Sequence, residues 1–380
     1  MFLCRCVYSH DLRLKYRESS FMPLKKLVIN QFRNISSANL TFNNKTNLIV
    51  GANGSGKTSL LEAIYFLGLG RSFRTRLSNR VVNYEQNEFT LYSEINNHDL
   101  TIPIGLQKSR SGESILKING TLSNKLANLT QYLPLQLITP ESYTLLSGSP
   151  KNRRAFIDWG VFYHDPHFYL NWARIKRLLK QRNAALKQCN AYKELQLWDN
   201  ELCLLSETIS KQRQDYFNLL MPLVNETIAE FLPEFSISSS FFCGWDKKNK
   251  PLQEYLADNY LRDKQLGYTT AGPQKADVKF KINGLPIADV LSRGQLKLFV
   301  YALRLAQGVF LNTFNDKKCI FLIDDFSSEL DQAKQKILAK HIINSEAQLF
   351  ITVIDKNNIS TLFEQERTVF HVEHGKITVE

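Results

Sequence analysis

No apolar run in this chain is long enough for a membrane. Its strongest candidates, such as Cys319 to Ile323, stop at once on charge, whereas a spanning helix needs about 20 apolar residues. Cysteine is scarce and scattered. The six residues Cys4, Cys6, Cys189, Cys203, Cys243 and Cys319 hold no pair of C-x-x-C elements and no histidines at zinc spacing, so a reducing compartment without structural metal is expected. The first 21 residues lack the continuous apolar stretch of a signal peptide, and strand-like alternation begins only at Leu24, Leu27 and Ile29. Residues 1–21 therefore read as an extension, Met22 as a candidate start, and the location as cytoplasmic. Acidic residues are also in deficit. Against 48 Lys and Arg there are 36 Asp and Glu, a net charge of +12, which favours a polyanionic partner such as nucleic acid. A basic surface serving solubility alone gives the same number.

What is present begins with a phosphate-binding pattern. Leu48-Ile49-Val50 reads as a short buried strand that runs into Gly51-Ala52-Asn53-Gly54-Ser55-Gly56-Lys57-Thr58, and Leu60, Leu61, Ala63, Ile64 and Leu67 follow at helical spacing. In G-x-x-x-x-G-K-[ST] the glycines let backbone N–H groups turn inward around phosphates, and the helix N-terminus adds partial positive charge. Lys57 is expected to reach the β- and γ-phosphates of ATP, and Thr58 to ligate Mg²⁺. With glycine near 7% of residues, two glycines at fixed positions arise by chance in about one window in 200, before the Lys, the Thr and the flanking elements are required.

A second set of residues lies near the C-terminus. Cys319 to Ile323 reads as a fully buried strand ending in Asp324-Asp325, as a Walker B element does. Asp324 is the expected magnesium carboxylate, and Asp325 the candidate catalytic base. Ser328-Glu329-Leu330-Asp331 then has the form of a D-loop. Upstream, Leu291-Ser292-Arg293-Gly294-Gln295 precedes an amphipathic helix carrying Leu296, Leu298, Phe299, Ala302 and Leu303. It resembles an ABC signature, in which Ser292, Gly294 and Gln295 meet a γ-phosphate held by another subunit; Ser292 equally serves as an N-cap. Gln136, in the apolar strand Leu133 to Ile138, is the candidate Q-loop glutamine, with a routine strand-end glutamine as the other reading. No histidine follows Leu349 to Val353, where a transporter ATPase carries its switch residue; Thr352 or Asp355 could only assist. Together with Asp325 in place of glutamate, this predicts slow hydrolysis.

Lys57 and Asp324 are separated by a large insertion. The segments expected are 22–150 for the N-terminal half of an ATPase head, 151–268 for an inserted, mainly helical lobe, and 269–380 for the C-terminal half. Phe168 to about Leu232 reads as helical without a sustained heptad, so no long coiled coil is expected. Strands are expected at 235–242 and 278–282, with an Asn283-Gly284 turn. Arg174, Lys176, Arg177, Lys180, Arg182 and Lys187 form a basic face on the first lobe helix, a candidate for DNA phosphates or a plain solvated surface. Ser149 to Asp158 reads as a loop bearing Lys151, Arg153 and Arg154. Gly70-Arg71-Ser72-Phe73-Arg74 places further cations after the phosphate-loop helix.

In order and spacing, Gly51 to Thr58, Gly70 to Arg74, Ile138-Thr139-Pro140-Glu141, Arg153 to Asp158, Gly272-Pro273-Gln274-Lys275-Ala276-Asp277, Leu291 to Leu298 and Asp324 to Asp331 resemble the RecF family from Pro23 onward. That family more often has histidine where this chain has Gln274. The resemblance implies an α/β ABC-type ATPase head of the SMC/Rad50-like kind. It also implies ATP-dependent homodimerisation on single-stranded, gapped or junction DNA, help in loading RecA with RecO and RecR, and a part in replication and SOS induction. A transporter nucleotide-binding subunit, a small-molecule kinase and a DNA scaffold switched by ATP without turnover are the competing readings.

Overall fold

The structure is a computed structural model that describes residues 24–97, 100–123, 126–314, 318–326, 330–355, 362–363 and 366–380. The 1–21 extension and Ser328-Glu329 of the expected D-loop lie outside these. The chain packs as two compact units, one comprising the residues to Leu133 with Glu366–Glu380, the other Pro134–Gln365. The segments 151–268 and 269–365 thus pack in one unit.

In the first unit, β1 (Lys26–Phe32) buries Leu27 and Ile29 and β2 (Ile35–Thr41) buries Ala38 and Leu40, the period-two pattern of a half-buried sheet; Phe32 and Ile35 are buried out of that alternation, Phe32 directly after Gln31 at φ 59°. A turn at Arg33-Asn34 pairs them antiparallel, Phe32 opposite Ile35. β3 (Thr46–Val50) is buried at every position and leads into α1 (Lys57–Leu69). β4 (Glu88–Asn97), β5 (Leu100–Ser109), β6 (Ser114–Ile118) and β7 (Thr121–Leu122) extend the first hairpin into an antiparallel sheet ordered β2-β1-β4-β5-β6-β7. Phe32, Phe66 and Phe89 meet edge-to-face, with centroids 5.0 to 6.1 Å apart, where α1 packs on this sheet. The C-terminal strand Arg367–Glu373 runs parallel to β3 and turns at His374-Gly375 into Lys376–Val379. Both turn residues have positive φ, 47° and 80°, as a two-residue hairpin of matching twist requires.

The second unit begins with β8 (Leu135–Ile138) and continues through α2 (Pro150–His164), α3 (Phe168–Ala185) and the 36-residue α4 (Gln196–Phe231). β9 (Ile237–Phe242), α5 (Leu252–Asp258), α6 (Tyr260–Leu266), β10 (Asp277–Ile282) and β11 (Leu285–Pro286) follow. Next come α7 (Arg293–Phe314), β12 (Ile320–Ile323), α8 (Gln332–Asn344) and β13 (Gln348–Val353). β12 pairs parallel with both β8 and β13, and β12 and β13 are buried at every residue, which is why they read as unbroken apolar runs. β9, β10 and β11 form a separate antiparallel sheet, with the expected turn at Asn283-Gly284.

One segment departs from expectation. Ser149 to Asp158 is not a loop: Ser149 holds the extended N-cap conformation, Pro150 takes the first helical position, and α2 buries Phe156, Ile157, Gly160 and Val161. Its basic residues masked a helical apolar stripe. A Cβ on Gly160 would stand 2.1 Å from the Tyr216 ring, so α2 and α4 approach as closely as a glycine permits. Among the described residues no helix is long and apolar enough to cross a membrane.

Candidate nucleotide-binding site

The loop after β3 is shaped by its glycines. At Gly51 a Cβ would lie 2.3 Å from the Val372 carbonyl oxygen, so no larger residue fits. Gly54 and Gly56 have φ of 78° and 119°, the left-handed backbone that curls a chain into an anion nest. α1 starts at Lys57 with no acidic residue in its first turn, leaving its positive end available to an anion. The Lys57 ammonium donates to the carbonyls of Gly51 and Ala52 at 2.7 and 2.9 Å, lying across the loop it is expected to serve. This donor set fits a nucleotide polyphosphate.

Two distant hairpins hold that loop. The Ser55 carbonyl accepts from the Asn34 side-chain amide at 3.0 Å, out of the β1–β2 turn, and from the Gly375 N–H at 2.8 Å, out of the C-terminal turn. Neither residue carries a local sequence signal for the site. A Cβ on Gly375 would sit 1.9 Å from the Asn34 carbonyl oxygen, at a φ that side chains rarely adopt. Gly375→Ala is therefore expected to cost about 1–3 kcal/mol of stability and to weaken ATP binding. Thermal melts with and without ATP check this; an unchanged ATP-induced shift in Tm would show that the two turns do not set the loop.

Behind the loop, Glu62 of α1 is fully buried. It accepts two hydrogen bonds from the Arg33 guanidinium, at 2.9 and 2.7 Å, and one from the Ser72 hydroxyl, and Arg74 lies 3.6 Å away. Ser72 Oγ in turn accepts from the N–H groups of Arg74 and Thr75, at 2.9 and 3.0 Å. One buried carboxylate thereby fixes the whole Arg71-Ser72-Phe73-Arg74 segment, leaving the Arg71 side chain exposed.

In the second unit Asp324 and Asp325 follow β12, and a buried threonine of β13 fixes both. Thr352 Oγ1 donates to Asp324 Oδ1 at 2.8 Å and accepts the Asp325 N–H at 2.8 Å. Asp325 is held at φ 54°, a left-handed conformation that aspartate tolerates better than most side chains. Strain of this kind collects where a side chain must be aimed. Tyr301 of α7 is fully buried near these aspartates; burial raises its pKa most, the charges of Asp325 and Asp324 further.

The Gln136 side chain is hydrogen-bonded within its own unit. It lies opposite Phe321, inside the strand rather than at its end, and is fully buried. Its Oε1 accepts from Arg304 at 2.9 Å and its Nε2 donates to Gln307 at 3.1 Å, while Gln307 donates to the Phe156 carbonyl at 2.8 Å. Both ends of the Gln136 amide thus tie β8 to α7, and Gln307 carries the link on to α2. The strand ends two residues later, where Thr139, Pro140 and Glu141 begin the next turn.

Ser292 and Gln295 form a reciprocal capping box on α7. The Ser292 N–H donates to Gln295 Oε1 at 2.9 Å, and the Gln295 N–H to Ser292 Oγ at 3.3 Å. Ser292 and Arg293 are exposed, and Gly294 is partly exposed, so the cap stands at the surface. The Arg153-Arg154 pair is internal machinery. Arg153 grips Asp277 with two bonds, at 2.8 and 3.1 Å, and Arg154 donates to the Ala276 carbonyl at 2.7 Å. Arg213 joins Asp158 to the Pro273 carbonyl. These three guanidiniums clamp the Gly272 to Asp277 loop, in which Gln274 donates to the carbonyls of Thr269 and Ala271.

A glycine nest at the head of a helix, paired aspartates after a buried parallel strand and a capped S-x-x-Q box make this an ABC-type, SMC-like ATPase head with a helical insertion. The chain belongs to the RecF family: the RecF/RecN/SMC N terminal domain matches residues 23–378. It is 76% identical to the DNA replication and repair protein RecF of Psychromonas ingrahamii over 359 residues, 94% of this chain and 100% of that protein. It is 50% identical to RecF of Vibrio atlanticus, over 94% of this chain and 99% of that one. A solved structure of the recombination mediator protein RecF with ATPrS in the RecFOR pathway superposes with TM-score 0.82 at 25% identity, covering 95% of this chain and all of that one. An Smc head bound to the C-winged helix domain of ScpA shares the fold, at TM-score 0.59 and 16% identity over 94% of this chain and 96% of that one.

Proposed function

We propose that this protein is an ATP-dependent DNA-binding protein of recombinational repair and replication, acting in the cytoplasm as a homodimer while ATP is bound. The observation that carries the ATP reading is the Gly51 to Thr58 nest closed by Lys57, and a relative of the same fold is described with ATPrS. Mg²⁺, when bound, neutralises developing charge on the phosphates. Thr58 and Asp324 are the residues that would hold it, and Thr352 keeps the Asp324 carboxylate in one orientation. Asp325 orients the attacking water and takes its proton. Its side chain is one methylene shorter than glutamate, and the sequence has no histidine directly after Leu349 to Val353, so turnover is slow and the ATP state long-lived.

The exposed cap at Ser292 supports dimerisation. A serine hydroxyl, the Gly294 N–H and the positive end of the 22-residue α7 make an anion site at the surface, suited to the γ-phosphate held by a second copy. The net charge of +12 favours a polyanion, and kinship to RecF makes that polyanion DNA in single-stranded, gapped or junction form. Kinship to RecF of the RecFOR pathway supports RecR and RecO as partners, with RecA loading and SOS induction downstream.

The test compares oligomeric state and DNA affinity with ATP and with ADP for wild type, Lys57→Arg and Ser292→Arg. Wild type is expected to dimerise and bind DNA with ATP alone. Ser292→Arg should still bind ATP yet stay monomeric, since losing the cap costs only about 0.5–2 kcal/mol. Wild-type protein that remains monomeric with ATP and binds DNA equally in every nucleotide state would sink the reading.

A further inference from the structure

Tyr84 is the most exposed large hydrophobic side chain among the described residues, at 92%. An exposed tyrosine on a loose loop would be unremarkable, but this loop is not loose. Tyr84 and Glu85 are the corners of a turn closed by the Gln86 N–H on the Asn83 carbonyl at 3.0 Å. The guanidinium of Arg110 then takes the carbonyls of Asn83 at 2.6 Å, Tyr84 at 2.5 Å, Asn79 at 3.4 Å and Gln86. The Asn83 N–H is tied to Gln31 of β1 at 2.9 Å, and the Arg110 N–H to the Asn87 carbonyl at 2.8 Å. The backbone under an aromatic ring standing in solvent is therefore fixed by one arginine and by the sheet.

The chain that leads to the ring is rich in cations. Arg71, Arg74, Arg76 and Arg80 are all exposed, and Glu85 is the one carboxylate between residues 71 and 87. Among the described residues no carboxylate lies within 4.0 Å of Arg71, Arg76 or Arg80, while Arg74 shares the buried Glu62 with Arg33. Arg33 also donates to the Arg80 carbonyl. Because the Asn79 and Tyr84 carbonyls meet on one guanidinium, the backbone at Arg80 lies close to the backbone at Tyr84. Arg76 lies three residues before Asn79, at most roughly 11 Å of chain away.

A rigid, solvent-facing aromatic beside unpaired guanidiniums matches one ligand chemistry, a planar base on a phosphate backbone. In a duplex both faces of each base are already covered by stacking, so the base that Tyr84 can cover belongs to a single strand or a strand end. We infer that residues 71–86 form a single-strand DNA site in which Tyr84 stacks on an unpaired base and Arg71, Arg76 and Arg80 take the neighbouring phosphates. This rests on the DNA-binding reading above and names the residues that would distinguish single strand from duplex. Pre-organisation by Arg110 means the ring loses little freedom on binding.

The test measures binding of an oligo-dT strand and of a covalently closed duplex without ends by fluorescence anisotropy, with ATP, for wild type, Tyr84→Ala, Tyr84→Phe and Arg76→Ala. Tyr84→Ala is expected to weaken oligo-dT binding by about 5- to 150-fold. Duplex affinity and the ATP-induced thermal shift should stay at wild-type values, and Tyr84→Phe should retain the strand. Arg76→Ala should flatten the salt dependence of strand binding by about 0.7 in slope. If Tyr84→Ala binds oligo-dT as wild type does, or loses duplex and strand equally, the stacking site is overturned while the wider DNA reading stands. A wild type that binds neither DNA overturns both.

Discussion

Asp325→Asn is expected to lower ATP turnover by about 10²–10⁴-fold, the usual range for removing a general base, while leaving ATP binding intact and accumulating the ATP-bound dimer on DNA. Asparagine is the informative replacement because it keeps the shape of the side chain and also tolerates the left-handed φ of 54° at this position. Alanine there would mix lost chemistry with backbone strain. The carboxamide can hold a water but cannot take its proton. A companion, Thr352→Val, removes the hydroxyl that fixes Asp324 at 2.8 Å and caps the Asp325 N–H. If position matters as much as basicity, Thr352→Val also lowers kcat, although Asp325 itself is unchanged. Steady-state ATPase assays with DNA, run beside size-exclusion chromatography with ATP, read both effects. Normal turnover in Asp325→Asn would remove this residue as the base.

The parts of the site that were legible are those whose chemistry is local in sequence. A glycine nest needs its glycines at fixed offsets, a capping box needs Ser292 and Gln295 three apart, and a buried parallel strand needs an unbroken apolar run before its aspartates. Illegible were the contacts that reach across the chain. Nothing near Asn34 or Gly375 announces that both hold the Ser55 carbonyl, and Glu62 sits in α1 where a surface glutamate would look the same. Gln136 shows how register decides a role: two residues from the strand end, its amide is committed to Gln307 and Arg304. Charge misled in the same way. Arg153 and Arg154 read as loop cations, yet they clamp Asp277 and the Ala276 carbonyl from within a helix. Arg182 read as one of a basic face, yet it is fully buried.

Arg182→Met is expected to destabilise the protein by about 3–5 kcal/mol, the cost of breaking a buried ion pair from one side. The Arg182 guanidinium binds Asp199 at 2.6 and 3.4 Å, Asp263 at 2.8 Å and the Thr269 hydroxyl at 2.9 Å, with both carboxylates buried. Asp263 also accepts the Thr270 N–H at 3.0 Å, so one cation ties α3, α4 and α6 to the chain that leads into the Gly272 loop. Burial raises the Asp199 pKa, and the Arg182 hydrogen bond and charge only partly oppose it. A folded-state pKa above the unfolded value means that the folded form binds a proton more readily, so its cost is present at high pH and fades as pH falls. Without the cation that cost grows, and urea unfolding should show a larger deficit for Arg182→Met at pH 8 than at pH 5. Adding Asp199→Asn and Asp263→Asn to Arg182→Met should recover part of the loss, because no unpaired charge is then left in the core. Where Arg182→Met alone does not fold, the milder Asp199→Asn keeps the comparison open: it leaves Arg182 its Asp263 partner, and its deficit should be smaller. A deficit independent of pH would mean that Arg182 acts by filling space, and the lobe would then be held by packing rather than by charge.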